Sequence, residues 1–272
     1  MKVLNGAELA LFIKERQAKQ VRGLRQAYGV FPKLVIIVVG ENPVIDTFVR
    51  LKEAYGADIL IDVEVLRISQ ESISETLSRA NEDTSVHGIV LQLPLPDPSQ
   101  TDALVAQIAP EKDVDSLGGS DVHVSATAMA IDWLLNGYNV QLKDRSIAIV
   151  GRGRLVGAPL ERLWKTAGLS VDLYDDTVQD LGTELRKADI IVTATGVPGL
   201  ITSDMIAPGK VVVDAGTASE GGVIVGDLAP DVRERTDLTI TPIKGGVGPL
   251  TIAALFDNVI AAARATVPKE LL

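Results

Sequence analysis

The chain alternates short apolar runs with longer stretches of helical spacing, and this alternation constrains the fold more than any other feature. Residues 34–40, 61–68 and 88–93 are β-branched runs closed by Gly, Ser or Pro, as buried strands are. Between them, residues 46–55 and 74–80 carry apolar side chains at helical intervals. Strands alternating with helices imply a parallel sheet covered on both faces. The rhythm pauses over the polar stretch 113–121, which contains Gly118 and Gly119, and a helix is expected over 127–136. A second series opens with a strand at 146–150 and continues with strands at 170–174, 190–195, 211–215 and 238–241. The last helix, 250–265, follows the glycine-rich turn 245–248. Two α/β domains are expected, hinged near residues 117–126, with the last helix packing back on the first.

Composition narrows the chemistry. The chain has 272 residues, 46% of them hydrophobic, which is enough for a substantial core. Its 26 basic and 36 acidic residues give a net charge of −10, which argues against a general grip on nucleic acid or anionic membrane. There is no cysteine, so disulfides, thiolate metal sites and a cysteine nucleophile are excluded. His87 and His123 are the only histidines, too few for a multi-histidine metal site, and no metal is expected. No stretch reads as an uncharged apolar span of membrane length. Residues 1–28 hold Lys14, Glu15, Arg16 and Lys19 within an apolar pattern, an amphipathic helix rather than a signal peptide, so a cytoplasmic protein is expected.

The second series opens with the clearest chemical signal. The strand at 146–150 runs into Gly151-Arg152-Gly153-Arg154-Leu155-Val156-Gly157, and helical spacing over 158–167 begins at once. Glycines at such a turn let backbone approach a pyrophosphate, and a helix N-terminus supplies free N–H groups and positive potential. The same glycines would also serve a purely structural turn. Asp175 and Asp176 follow the next strand, where a carboxylate can accept a ribose hydroxyl and would repel a 2′-phosphate. They could equally form a solvated turn. Arg152 pulls the other way, since a guanidinium clasps phosphate.

In the first series Lys52 lies on a helix just after the turn Gly40-Glu41-Asn42-Pro43. Gln92-Leu93-Pro94-Leu95-Pro96 stands at the carboxyl end of a strand, where open α/β sheets bind ligands. There the prolines would stiffen a loop that aims Gln92, or Gln92 merely bonds to backbone. In Lys112-Asp113-Val114-Asp115, Asp115 is either a helix cap or an acceptor for ligand amines.

Taken together these pieces resemble the bifunctional methylenetetrahydrofolate dehydrogenase/methenyltetrahydrofolate cyclohydrolase family over nearly the whole chain. The resemblance runs from Leu4-Asn5-Gly6 through Asn42-Pro43, Phe48-Val49-Arg50-Leu51-Lys52, Gln92-Leu93-Pro94-Leu95-Pro96 and Lys112-Asp113-Val114-Asp115. It continues with Gly151-Arg152, Val156-Gly157-Ala158-Pro159, Val213-Asp214-Ala215-Gly216 and Gly226-Asp227. It ends in Thr241-Pro242-Ile243-Lys244-Gly245-Gly246-Val247-Gly248-Pro249-Leu250-Thr251. It implies two α/β domains flanking a cleft, the second a Rossmann-like nucleotide-binding domain. The folate-binding catalytic domain would be 1–118 with the helix 250–272, and the NAD(P)-binding domain 119–249. Implied activities are oxidation of 5,10-methylenetetrahydrofolate with NAD or NADP, then hydrolysis to 10-formyltetrahydrofolate, feeding purine and amino-acid biosynthesis. Lys52, Gln92 and Asp115 match the family's catalytic set: the lysine that assists proton transfer, the glutamine that tunes it and the aspartate that binds the pterin. Phe48, Val49, Leu93, Pro94, Gly248, Pro249, Leu250 and Thr251 would bind folate. Gly151, Arg152, Gly153, Val156, Gly157, Asp175, Thr195 and Gly196 would bind the dinucleotide. A homodimer is implied.

The chain departs from the family pattern in places. Phe48 replaces a tyrosine, so stacking survives and the hydroxyl does not. Ser116 replaces a glycine, and the loop from there to the helix at 127–136 is shorter. Ala126-Thr127-Ala128-Met129-Ala130 keeps only the threonine of the family's Cys-Thr-Pro-x-Gly, and Lys244 replaces proline. Asp175 and Asp176 replace a serine and a basic residue, tilting the cofactor toward NAD, whereas the resemblance and Arg152 favour NADP. Two other functions fit these departures: a dehydrogenase without ring opening, or a non-catalytic paralogue that binds nucleotide or a partner. Retention of Lys52, Gln92 and Asp115 speaks against the latter.

Overall fold

The computed structural model describes residues 2–220, 223–268 and 270. It opens with β1 (Lys2–Val3) and α1 (Gly6–Tyr28). The expected helix from residue 1 is thus corrected at its start: Lys2–Val3 pairs in parallel with Thr239–Ile240. Gly6 marks the helix start for a steric reason, since a Cβ there would lie 1.9 Å from the Gly246 carbonyl oxygen.

The chain divides into two compact units, Leu11–Ala126 with Ile252–Leu272, and Met1–Ala10 with Thr127–Thr251. This differs from a cut at 118 because β1 draws the first residues into the second unit, and the chain changes unit at Ala126.

The first unit contains β2 (Lys33–Val39), α2 (Pro43–Asp58), β3 (Asp62–Ile68), α3 (Ile73–Glu82), β4 (Gly88–Leu91) and α4 (Thr101–Val105). Its sheet is parallel, in the order β3-β2-β4. From Leu34 to Val39 every β2 side chain is buried, because helices cover both faces of a central parallel strand. Gly40 leaves the strand at a φ of 74°, and the Asn42 side chain then accepts the amides of Val44 and Ile45 to cap α2, with Pro43 in the first turn. The expected strand at 88–93 stops at Leu91, before a cis Leu93–Pro94 peptide.

The second unit begins its own series with α5 (Ala126–Gly137), β5 (Ile147–Val150), α6 (Gly157–Thr166), β6 (Val171–Tyr174), α7 (Leu181–Lys187), β7 (Ile190–Thr193) and β8 (Val211–Asp214). A hairpin of β9 (Ala218–Glu220) and β10 (Val223–Val225), then α8 (Pro230–Arg233), β11 (Thr239–Ile240) and α9 (Val247–Ala265) complete the chain. The large sheet is parallel throughout, ordered β1-β11-β8-β7-β5-β6. Its strand order reverses between β5 and β7, the position where open α/β sheets bind ligands. The first sheet reverses likewise between β2 and β4.

α9 is long and apolar enough to cross a membrane by length and composition, although Asp257 and Arg264 keep it from being an uncharged span. Most of it is buried within the protein, however, as in a core helix. Its later residues serve the first unit: Asn258 donates to the carbonyls of Val114 and Val124 at 2.8 Å each, and Phe256 stacks on Tyr55.

Candidate active site

The first unit gathers Lys52, Gln92 and Asp115 at the carboxyl edge of its sheet. Ile45, Val49, Lys52 and Gly56 recur at helical intervals along α2, and all but Lys52 are buried. The lysine therefore rides the core-facing stripe of its helix, half-buried. Its Nζ donates to Gln92 Oε1 at 2.7 Å, and Gln92 Nε2 donates to the Leu93 carbonyl at 3.3 Å. Gln92 thus bonds both to backbone and to the lysine. Burial pushes Lys52 below the usual ammonium range, partly opposed by the charge of Asp115. Burial pushes Asp115 above the usual carboxylate range, opposed by Lys52 and reinforced by Asp113.

The segment around Asp115 shows a division of labour. Lys112 Nζ donates to the carbonyls of Ala80, Asn81 and Asp83 and so closes the C-terminal end of α3. Asp113 accepts the amides of Leu117 and Gly118 and shapes the following turn. Val114 is fully buried, against Gly88. Asp115 caps no helix, and among the described residues its carboxylate accepts no hydrogen bond and forms no ion pair. Of the two roles open to it, acceptor for ligand donors is the one its surroundings support. Ser116, in place of glycine, takes a φ of 57°.

Phe48 stands one turn before Lys52 on the same helix and is half-buried, a flat apolar face beside the ammonium. Val49 is buried in the core, so only its backbone is available to a ligand. Leu93 packs partly against the core and Pro94 is exposed. At the start of α9, Gly248 faces open space, Pro249 and Thr251 are half-buried, and Leu250 is fully buried.

In the second unit, Gly151 takes a φ of 102°, and a Cβ there would lie 2.5 Å from the Ala194 carbonyl oxygen. A Cβ on Gly157 would lie 1.7 Å from the Gly151 carbonyl oxygen. Both glycines are required by the protein's own packing. Gly153 is not: nothing lies within 4 Å of the position a Cβ would take. Open space over that glycine, together with an α6 N-terminus whose N-cap Val156 offers no side-chain bond, fits a dinucleotide pyrophosphate. Thr195 and Gly196 follow β7, directly across the strand-order reversal from Gly151.

Asp175 and Arg152 meet. Arg152 Nε donates to Asp175 Oδ2 at 3.2 Å, and Arg152 Nη1 lies 3.9 Å from Glu161 Oε2. Asp175 Oδ1 accepts the amide and hydroxyl of Thr177, and these bonds foremost hold its carboxyl below the usual range. Asp176 is exposed. The turn is solvated, yet it also holds the arginine that a 2′-phosphate would need.

One unit carries a parallel sheet whose ligand edge lies at a strand-order reversal, and the other holds a partly desolvated, hydrogen-bonded lysine; the class these features define is a two-unit dinucleotide-binding enzyme. Comparisons with known proteins particularise this class. The tetrahydrofolate dehydrogenase/cyclohydrolase catalytic-domain model matches residues 4–115, and the NAD(P)-binding-domain model of the same family matches residues 125–267. The bifunctional protein FolD of Exiguobacterium sibiricum is 36% identical over 275 residues, covering 96% of this chain and 99% of that protein. The crystal structure of the bifunctional methylenetetrahydrofolate dehydrogenase/cyclohydrolase FolD from Campylobacter jejuni superposes with a TM-score of 0.90 at 33% identity, covering 97% of this chain and 99% of that one. The Trypanosoma brucei enzyme, solved with NADP and an inhibitor, gives a TM-score of 0.90 at 30% identity over 97% of this chain and 98% of that one. This chain belongs to the tetrahydrofolate dehydrogenase/cyclohydrolase family. It is an enzyme of one-carbon folate metabolism with methylenetetrahydrofolate dehydrogenase and methenyltetrahydrofolate cyclohydrolase activities, and nothing favours the non-catalytic or dehydrogenase-only readings.

Proposed function

We propose that this chain oxidises 5,10-methylenetetrahydrofolate with NAD preferred over NADP, and hydrolyses the methenyl product through Lys52. The observation that carries the reading is the buried-stripe lysine, hydrogen-bonded to Gln92 and opposed by the unbonded carboxylate of Asp115. The nicotinamide supplies a hydride acceptor when bound. The chain's own residues do the rest. Asp115 accepts hydrogen bonds from the pterin's amino and ring nitrogens, and Phe48 stacks on its face. In ring opening, water adds to the methenyl carbon and Lys52 Nζ takes the proton it releases. The carbon–nitrogen bond then breaks and a proton returns to the freed ring nitrogen. Gln92 Oε1 fixes the direction of Nζ during both transfers. Phe48 offers no hydroxyl, so Lys52 and Gln92 carry this polar work.

Support for NAD comes from Arg152 and Asp175. A 2′-phosphate would have to draw the guanidinium away from Asp175 and would stand near Asp176 as well. A ribose hydroxyl needs neither change. The test follows reduced-nicotinamide absorbance with methylenetetrahydrofolate and each dinucleotide. NAD should be favoured about tenfold in kcat/KM. Asp175→Ser with Asp176→Lys should reverse the order. A parent enzyme that prefers NADP would defeat the NAD assignment, and one that reduces neither would defeat the dehydrogenase. A cytoplasmic homodimer completes the proposal, supported by the family resemblance.

A further inference from the structure

The two sequence strings Val213-Asp214-Ala215-Gly216 and Gly226-Asp227 have no part in the chemistry above, yet the structure folds them into one buried network. Asp214 ends β8. Its Oδ1 accepts the amides of Gly216 and Asp227 at 3.0 Å each, and its Oδ2 accepts Arg233 Nη2 at 2.6 Å. Arg233 Nη1 donates to the Thr241 carbonyl at 2.6 Å, and the Thr241 hydroxyl accepts the Asp214 amide at 3.0 Å. Asp227 is wholly buried. Its Oδ2 accepts the Thr195 amide at 2.7 Å and its Oδ1 the Val197 amide at 3.1 Å.

The glycines in the two strings exist to admit these carboxylates. A Cβ on Gly216 would lie 2.0 Å from Asp227 Oδ1, and one on Gly226 would lie 2.1 Å from Asp214 Oδ2. Two buried aspartates against one arginine are costly to maintain, and each is held by several N–H donors. What they hold is informative. Residues 195–197 follow β7 at the point where strand order reverses, and the Gly151 turn packs on Ala194 and Thr195 from the other side of that point. Thr241 begins the loop that leads from β11 to α9.

We propose that Asp227, braced through Asp214 by Arg233, is a positioning residue for dinucleotide binding: it fixes the 195–197 backbone against the glycine turn. This rests on the nicotinamide reading above. The carboxylate suits the task because it accepts two amides at once. An asparagine of the same shape accepts one and turns its own NH2 toward the other.

The test uses Asp227→Asn in the full chain. Calorimetric titration with NAD should show a Kd at least tenfold weaker than the parent's. Amide hydrogen exchange of the segment 194–198 should quicken at least tenfold without dinucleotide present. Hydrolysis of methenyltetrahydrofolate, which uses Lys52 and no dinucleotide, should stay within twofold. NAD affinity within twofold of the parent in a folded variant would overturn the proposal. So would a loss of hydrolysis matching the loss of NAD affinity, because that marks general destabilisation. Should Asp227→Asn fail to fold, Arg233→Lys decides by the same measures, since a single ammonium nitrogen replaces the planar fork that sets one nitrogen on Asp214 and another on Thr241; a weakening of at least threefold is expected. A parent that binds no dinucleotide would sink the nicotinamide reading together with this proposal, whereas equal binding by parent and variants sinks this proposal alone.

Discussion

At the scale of single residues, the charge of Asp115 acting on Lys52 without direct contact fixes the sign of a pH dependence. Burial disfavours the ammonium of Lys52, and the negative charge of Asp115 favours it. Removing that charge therefore lowers the lysine further. If the free amine accepts the proton in ring opening, the rate rises with pH through the lysine's titration. Asp115→Asn should accordingly move the rising limb of kcat for methenyl hydrolysis to lower pH. The folate KM should rise about tenfold, because a charge-assisted hydrogen bond is lost. A falling limb in place of the rising one, measured at saturating folate and moved to lower pH by the same substitution, would mean that the ammonium is the working form. The lysine was readable in the sequence by its place on the stripe of Ile45, Val49 and Gly56, a signal sharper than its position after a turn. From the residues alone Asp115 reads equally as a cap or an acceptor, and only the family resemblance points to the pterin; the structure adds that Lys112 and Asp113 hold backbone while Asp115 does not.

At the scale of elements, the connection between α4 and α5 carries a strain at Ser116 that one substitution should release. Ser116 is buried at a φ of 57°, where a side chain costs about 1 kcal/mol and glycine costs little. Its hydroxyl returns only a long bond of 3.4 Å to the Ser120 carbonyl. Set against the extra freedom glycine gives the unfolded chain, Ser116→Gly should stabilise the protein by about 0.5 kcal/mol, or roughly 1–2 °C in Tm. A lower Tm would show that the hydroxyl matters more than the backbone. The regular elements themselves were legible because their signal is local. The run Leu34–Val39 reads as a buried parallel strand from six consecutive apolar residues. β1 was not legible, since Lys2–Val3 is too short for any periodicity and is created by pairing with β11, near the other end of the chain. The short helix α7 and the β9–β10 hairpin escaped for the same reason of length. The Asp214, Asp227 and Arg233 network lay hidden differently. Its glycines and aspartates were visible as strings, but Arg233 lies outside both, and only folding shows whose carboxylate each glycine admits.

At the scale of the whole molecule, the net charge of −10 bears on which dinucleotide is taken. Both dinucleotides are anionic, and NADP carries one phosphate more. The field of the chain therefore opposes NADP more than NAD, and Asp175 and Asp176 concentrate that opposition beside Arg152. All these groups stand at the surface, so dissolved ions can screen them. The Debye length shrinks from about 20 Å near 0.02 M salt to about 6 Å near 0.3 M. If charge decides the preference, the ratio of NADP to NAD dissociation constants should narrow by about threefold across that range. Most of the change should come from tighter NADP binding. A preference set by the shape of the ribose pocket would leave the ratio unmoved, because salt does not alter fit. The Asp175→Ser, Asp176→Lys enzyme supplies the opposite sign: added salt should weaken its NADP binding, since attraction is then what is screened. Parallel titrations at the two salt concentrations would separate charge from shape, and a constant ratio in both proteins would place the discrimination in packing around the ribose instead.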